Sequence, residues 1–131
     1  MQRITRHIGA WLIIAVVAVG GTFLARVGAS RENTREIRLS VRDMAFRVDA
    51  GDAVNPALEL SPGEQVRLTL RNEERGMVHD FTIPEWGVRT GNVEWGREKT
   101  ITFKVPDTDK APTYTCTPHS AMMSGRIVIA K

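Results

Sequence analysis

Residues 114–129 read YTCTPHSAMMSGRIVI, and this stretch decides how the rest of the chain is interpreted. It holds the only cysteine of the 131 residues, Cys116, followed by one of the three histidines, His119. Two of the five methionines, Met122 and Met123, come next, before a glycine opens a run of apolar residues. Such a run predicts a final β-strand. A thiol, an imidazole and two thioethers are therefore confined to one turn that ends in a strand.

The rest of the chain after residue 30 shows the apolar–polar alternation that is typical of half-buried β-strands. The alternation covers residues 37–41, 66–70, 79–83 and 101–105, and turn signals such as SPGE and PDTDKAP separate these segments. Residues 84–96, PEWGVRTGNVEWG, are rich in turn residues and are predicted to form a loop. Short strands between such turns, without a segment of helical period, predict an all-β fold, an antiparallel sandwich or barrel.

The first 29 residues have a different character. Residues 8–25 form an 18-residue run without a charge, after two arginines. That length is at the lower limit for a membrane-spanning helix and exceeds the usual apolar core of a signal peptide. Val27-Gly28-Ala29 also fits a small-residue cleavage site. Residues 1–29 are predicted to be a hydrophobic helix that anchors the chain in the cytoplasmic membrane, or else a signal peptide. Both place a domain of residues 36–131 on the periplasmic or extracytoplasmic side, after a linker of residues 30–35.

The charge balance of this domain bears on its partners. The chain carries a formal net charge of +3, but Arg3, Arg6 and Arg26 lie in or beside the N-terminal apolar run. Without these three, 15 of the 18 basic residues remain, and they match the 15 acidic residues. A nucleic-acid-binding surface needs clustered basic residues. No nucleic-acid partner is therefore predicted.

Cys116 alone has a plain interpretation, because free cysteines are often small buried hydrophobes. The Tyr114-Thr115-Cys116 spacing also suits the tyrosine corner of an immunoglobulin-type sandwich, but that fold pairs two cysteines and this chain has one. A nucleophilic cysteine usually takes its histidine base from a distant part of the sequence. His119 is three residues away on one turn, so both side chains can point at one small object. This favours a shared metal ion.

The other possible ligands indicate which metal. His79 lies on the apolar face of a predicted strand, where a histidine without a partner is costly to bury. Thioether and thiolate are soft ligands and imidazole suits copper, so two histidines, one cysteine and one weak axial methionine form the ligand set of a mononuclear blue-copper site. Structural zinc sites use four cysteine or histidine ligands, and only three are present after residue 30. Copper is therefore favoured over zinc.

From about residue 36 to residue 131 the chain resembles the cupredoxins, the plastocyanin and azurin family of small blue-copper proteins. YTCTPHSAMMSGRIVI matches the family's order of Cys, His, Met and a glycine-led last strand, and GMVHDFTI matches the place of its first histidine ligand. The resemblance implies a Greek-key β-sandwich with one type 1 copper ion. It implies His79, Cys116 and His119 as equatorial ligands and a methionine as the axial ligand.

The resemblance leaves the axial methionine open. Met123 precedes Ser124-Gly125, as the family's ligand methionine often precedes a glycine, and its spacing from His119 resembles azurin. The spacing of Met122 resembles amicyanin instead. Met123 is the predicted ligand, and Met122 is the alternative.

Asp80 departs from the family pattern, in which asparagine usually follows the first histidine ligand. One interpretation is a solvated aspartate on the outward face of the strand. The other is that Asp80 steadies the ligand loops, lowers the reduction potential and makes it dependent on pH, since groups around the ligands tune metal sites.

The implied activity is the transfer of single electrons between redox proteins such as cytochromes or other copper proteins. The ring edge of His119 would be the electron exit, within an apolar patch of Pro118, Ala121 and Met122. One cysteine excludes a dinuclear centre with two bridging thiolates, and the lack of spare histidines argues against a multicopper oxidase or nitrite-reducing site. An electron carrier and no enzyme is therefore predicted. The alternatives are a protein that stores or delivers copper with the same residues and a metal-free interaction domain.

Overall fold

The computed structural model describes residues 34–49 and 51–130. The predicted anchor or signal peptide at residues 1–29, with most of the predicted linker, lies outside the described residues. Among the described residues, no helix is long and apolar enough to span a membrane. The described residues cover nearly all of the predicted domain.

Strands make up most of the regular structure in the described chain, as the alternation predicts. They are β1 (Arg35–Arg42), β2 (Ala45–Val48), β3 (Leu58–Leu60), β4 (Gln65–Asn72), β5 (Thr82–Ile83), β6 (Val88–Arg89), β7 (Glu98–Lys104), β8 (Thr113–Thr115) and β9 (Ser124–Ile129). Two short 3-10 helices span Pro84–Trp86 and Thr117–His119. Each has a proline in its first two positions, where the missing N–H leaves no helical hydrogen bond unmade.

The strands form two sheets, with the orders β2-β1-β4-β7 and β3-β9-β8-β5-β6. Most neighbouring strands are antiparallel, but β1 pairs with β4, and β3 with β9, in parallel. The prediction of an antiparallel sandwich is therefore wrong for these two pairs. A period of two tells which side chains share a face, and it carries no information on the direction of the neighbouring strand.

The alternating apolar residues fill one core to which both sheets contribute. In the parallel register of β1 and β4, Leu39 lies beside Leu70. Phe81, just before β5, stacks on Tyr114 of β8 with ring centroids 5.3 Å apart, and Phe46 of β2 meets both rings edge-on. These five side chains are almost completely buried. Full burial of a large apolar side chain contributes about 1.5–3 kcal/mol to the free energy of folding. The core therefore supports the loops that the strands connect.

One local prediction needs correction, and one strand, β2, is not predicted at all. Residues 84–96 are more than a loop, because they contain a 3-10 helix and the short strand β6, which pairs with β5. Residues 45–48 form β2, although their alternation is too short to predict a strand. The turn between β1 and β2 consists of Asp43 and Met44, both at a φ of 54°. Neither is glycine, so this hairpin lacks the usual sequence signal of a two-residue turn.

The pairing of β8 with β9 depends on one glycine. Tyr114 lies opposite Gly125, and a Cβ added at Gly125 would stand 2.2 Å from Cζ of the Tyr114 ring. A glycine in a strand often marks such a close approach. The Tyr114 hydroxyl donates to the carbonyl oxygen of Pro56 at 2.6 Å, 58 residues upstream, whereas a tyrosine corner bonds only a few residues away. The register fixes both ends of the loop that runs from Cys116 to Met123.

Candidate metal centre

His79 enters the site from the connection between β4 and β5. The predicted strand at residues 79–83 is regular only in its last two residues, and His79 forms an isolated antiparallel bridge with Val93. Its N–H donates to the Val93 oxygen at 3.2 Å, and the Val93 N–H donates back at 2.7 Å. The side-chain amide of Asn72 donates to the same Val93 oxygen at 2.9 Å. The backbone of His79 is therefore held in place outside the regular sheet.

Cys116 and His119 lie on a loop closed by its own backbone. The Cys116 N–H donates to the Met123 oxygen at 2.9 Å. Inside the loop, the His119 N–H donates to the Cys116 oxygen at 3.1 Å, and the His119 oxygen accepts from the N–H groups of Met122 and Met123. Pro118 restricts the backbone at the start of this turn. These short-range bonds bring the thiol and the imidazole to one side of the loop.

The structure brings three of the four predicted ligands together. The sulfur of Cys116 lies 3.6 Å from Nδ1 of His79 and 3.6 Å from Nδ1 of His119. The centroids of the two imidazole rings are 4.7 Å apart. One ligand atom from each residue lies within 4.8 Å of the others, and no second cluster of three or more His, Cys, Asp or Glu residues with this spacing occurs in the described part of the chain. Local spacing places Cys116 beside His119, and the fold adds His79 from 37 residues away.

Burial controls the protonation of these groups. His79 and Cys116 are fully buried, and His119 is half-buried. Burial, together with the nearby His119, lowers the pKa of His79, and Glu74 opposes this shift only in part. Burial raises the pKa of the Cys116 thiol, and backbone hydrogen bonds from Asp80 and His119 offset it only in part. At neutral pH the metal-free site therefore holds a neutral His79 and a protonated thiol.

The two methionines differ in burial. Met123 is completely buried and belongs to the same apolar cluster as Cys116, whereas Met122 is 59% exposed. The backbone oxygen of Met122 accepts a hydrogen bond from Nδ2 of Asn55 at 2.9 Å. The loop therefore keeps the Met123 side chain on its inner side and leaves the Met122 side chain at the surface.

Asp80 is not the solvated residue that its place in the alternation allows, so that interpretation is wrong. It is only 7% exposed, and its Oδ1 accepts from the Thr117 N–H at 2.5 Å. The hydroxyl of Thr82 lies 3.4 Å from its Oδ2. Because Thr117 directly follows Cys116, Asp80 ties the segment of His79 to the loop of the thiol.

The arrangement of strands is shared with solved proteins. Auracyanin A, a "blue" copper protein from the green thermophilic photosynthetic bacterium Chloroflexus aurantiacus, aligns with 74% of this chain and 99% of its own at 15% identity and a TM-score of 0.58. Rusticyanin from Thiobacillus ferrooxidans aligns with 74% of this chain and 77% of its own at 22% identity and a TM-score of 0.56. The chain has the cupredoxin fold. At these identities the likeness is one of fold, and no protein-family model and no curated protein matches the sequence.

Within this cupredoxin fold, two further side chains support the site although their spacing does not single them out. Asn55 accepts the Phe46 N–H at 2.9 Å and donates to the Met122 oxygen, so it joins β2 to the candidate ligand loop. Glu74 has one carboxylate oxygen 3.4 Å from Nε2 of His79. The only sequence signal for Asn55 is the proline after it, since this dipeptide marks turns. Glu74 has no comparable signal.

Proposed function

We propose that the chain is a mononuclear type 1 copper protein that carries single electrons between redox partner proteins. His79, Cys116 and His119 would hold the ion, and Met123 would supply the weak axial contact. The observation that carries the proposal is the convergence of two imidazole Nδ1 atoms on one buried sulfur, each at 3.6 Å. The fold supports it, because auracyanin A is described as a "blue" copper protein.

The spacing of the donors fits a single ion. Bonds of about 2.3 Å to sulfur and about 2.0 Å to nitrogen, as zinc makes them, leave about 3.5 Å between the two donor atoms at a tetrahedral angle. The observed separations are 3.6 Å. Residues 34–130 offer no fourth histidine or cysteine to complete a structural zinc site. The buried thioether of Met123 completes a set that suits copper.

Bound copper supplies one-electron exchange between Cu(I) and Cu(II). The task of the chain is to present the same donors in the same place to both states. The bridge to Val93 holds His79, and the bond to the Met123 oxygen holds Cys116. Because folding fixes both donors and buries them, little needs to move when an electron arrives, and water is kept from the thiol.

His119 is the donor through which we propose that electrons enter and leave. It is half-buried, whereas His79 and Cys116 are fully buried. An open depression beside its ring is lined by apolar side chains such as Met77 and Pro118 and by polar ones such as Arg89. Small apolar surfaces suit the weak and transient docking of redox partners, for which cytochromes or other copper proteins are the candidates.

We place this activity on the extracytoplasmic side of the cytoplasmic membrane. The support is the uncharged run at residues 8–25, which as an anchor or as a signal peptide would carry the remaining chain across. Cell fractionation of the tagged full chain, and of a chain without residues 1–29, tests the proposal. A full chain that stays in the cytosol would overturn it.

Repeated redox cycling in the presence of a Cu(I) chelator tests electron transfer against copper delivery. The protein loaded with Cu(II) would be reduced and reoxidised several times beside an excess of bathocuproine disulfonate. An electron carrier should keep its copper and recover its absorption in every cycle. Transfer of the copper to the chelator during the first reduction would instead identify a protein that delivers copper with the same residues.

The difference in burial between the methionines predicts unequal effects on the copper site. Met123→Leu should change the ratio of Cu(II) to Cu(I) affinity on the order of tenfold, or about 59 mV in reduction potential, because the axial ligand tunes that potential. Met122→Leu, the matched control at the surface, should leave the potential unchanged. Protein-film voltammetry measures both. A larger shift for Met122→Leu would reverse the assignment.

Replacing Asp80 with asparagine should keep the tie to Thr117 and remove its charge. The amide oxygen can still accept the Thr117 N–H, so copper should still bind. Loss of a negative charge beside the thiolate should disfavour Cu(II), which raises the reduction potential by on the order of 59 mV, or tenfold in affinity ratio. Asp80→Ala, which also removes the acceptor, should in addition lower copper affinity. An unchanged potential in Asp80→Asn would refute a tuning role.

A further inference from the structure

Glu74 faces His79 from the side opposite the thiol. One of its carboxylate oxygens, Oε2, lies 3.4 Å from Nε2 of His79, the ring nitrogen that does not face Cys116. This Nε2 is buried and has no well-aligned hydrogen-bond partner in the described chain. The charged carboxylate of Glu74 is close to it but outside good hydrogen-bond geometry. The Glu74 side chain is itself only 19% exposed. A buried N–H without an acceptor costs about 1–3 kcal/mol, and this carboxylate is the acceptor at hand.

Glu74 is held through both its side chain and its backbone. The same Oε2 accepts the Met44 N–H at 3.0 Å, from the turn between β1 and β2. The backbone N–H of Glu74 donates to Oδ1 of Asn72 at 2.9 Å, at the end of β4. The bond from Met44 holds the carboxylate beside His79, and the bond to Asn72 holds the backbone that carries it. A negative group held this firmly can decide which nitrogen of the adjacent imidazole carries the proton.

We propose that Glu74 is a positioning residue for His79: it keeps the imidazole proton on Nε2, so that Nδ1 stays free to face the thiol of Cys116 and bind the metal ion. Metal-bound histidines commonly donate their second N–H to a carboxylate, which fixes the ring and strengthens it as a donor. The charge of Glu74 also favours Cu(II) over Cu(I). The choice of copper rests on the proposed function, but the placement of the proton is a property of the metal-free protein.

A purely structural role for Glu74 makes different predictions. Met44 adopts a positive φ, and the hydrogen bond that its N–H donates to Glu74 supports the turn that contains it. If this were the whole role of Glu74, its replacement would lower the free energy of unfolding. It would leave the proton of His79 and the balance between Cu(II) and Cu(I) unchanged. The test therefore measures the position of the His79 proton and the balance between Cu(II) and Cu(I), in addition to stability.

The first measurement uses the metal-free protein and nuclear magnetic resonance of ¹⁵N-labelled histidine at about pH 8, well above the ordinary imidazole pKa. The wild type should show His79 protonated at Nε2. Glu74→Ala should show a mixture of the two tautomers, and Glu74→Gln, which keeps an acceptor oxygen, should stay at Nε2. A wild-type His79 protonated at Nδ1, or a Glu74→Ala spectrum identical to the wild type, would overturn the proposal.

The second measurement compares copper binding by chelator competition and voltammetry. Glu74→Ala should lower Cu(II) affinity by about 10–100-fold. Glu74→Gln should recover most of that affinity but lower the preference for Cu(II) over Cu(I) about tenfold, or about 59 mV. Glu73→Gln is the matched control, because Glu73 is more exposed and pairs with Arg71 at 3.3 Å. It should change each quantity less than about twofold.

The two measurements separate this inference from the proposed function. Copper affinity and potential that are unchanged in both Glu74 variants would overturn the positioning role. A wild type that shows the expected Nε2 proton but binds no copper would refute the proposed function and leave the assignment of Glu74 in place. Glu74→Gln keeps the test decisive if Glu74→Ala does not fold.

Discussion

Cys116→Ser should abolish the intense thiolate-to-copper(II) absorption completely. The absorption arises from charge transfer between sulfur and copper, and a hydroxyl in the same place cannot supply it. The fold should survive, because serine has nearly the volume of cysteine and adds no atom to the buried site. Visible spectroscopy measures the loss, and far-ultraviolet circular dichroism checks the fold.

The same variant tests the protonation of the site. Burial raises the pKa of the Cys116 thiol, so at neutral pH copper must displace a proton from it. His79 has its pKa lowered by burial and is already neutral there. Cu(II) affinity of the wild type should therefore rise with pH, by about tenfold per unit below the thiol pKa, and Cys116→Ser should lose this part of the dependence. Met122→Leu is the control and should keep this dependence, because its thiol is unchanged. A strong absorption in Cys116→Ser would exclude Cys116 as the ligand.

Gly125→Ala should destabilise the fold by about 3 kcal/mol or more. The added Cβ would stand 2.2 Å from the Tyr114 ring, and that ring is fully buried between Phe46 and Phe81. To relieve the contact the ring must shift, which strains the core and breaks the hydrogen bond to the Pro56 oxygen. Overpacking costs about 1–3 kcal/mol, and a buried hydroxyl that loses its acceptor costs a similar amount. Chemical denaturation of the metal-free protein measures the loss.

A double-mutant cycle isolates the steric cause. In a Tyr114→Leu background the clashing ring atoms are absent, so Gly125→Ala should cost far less than in the wild type. Arg126→Ala, an exposed change one residue further along β9, should cost little. Equal costs of Gly125→Ala in both backgrounds would show that the ring is not what the glycine accommodates. The strand register that fixes the Cys116–Met123 loop would then have another origin.

Most of the candidate site is predictable because its residues are close in sequence. Cys116, His119 and Met123 share one loop, so their spacing alone indicates a common target. His79 is remote, but it falls on the apolar side of an alternating segment, where a histidine needs an explanation. The structure brings His79, Cys116 and His119 together as this reasoning expects. The role of each as a copper ligand stays a prediction.

The supporting contacts could not be predicted, because they join residues with no local relationship. Asn55 reaches the Met122 oxygen across 67 residues, and Glu74 reaches the Met44 N–H across 30. Asp80 falls on the polar side of its segment, and only the folded chain shows its carboxylate against the Thr117 N–H. Alternation reports which way a side chain faces within one strand, whereas these contacts depend on which strands and loops meet.

Alternation within single strands also cannot predict how strands pair, and this explains the errors in the predicted fold. The parallel pairs β1–β4 and β3–β9 have the same alternation that antiparallel pairs would have. The strand β2 is short, and its turn uses Asp43 and Met44 where glycine would have been the signal. The all-β character and the positions of the longer strands β1, β4 and β7 follow directly from the period of two.

Addition of Cu(II) to metal-free residues 30–131, followed by visible absorption spectroscopy, tests the copper assignment most directly. One equivalent should produce an intense absorption that stops growing beyond that equivalent and disappears on reduction to Cu(I). A weak absorption with no thiolate-to-copper(II) band in a folded protein would contradict a type 1 copper site built from His79, Cys116, His119 and Met123.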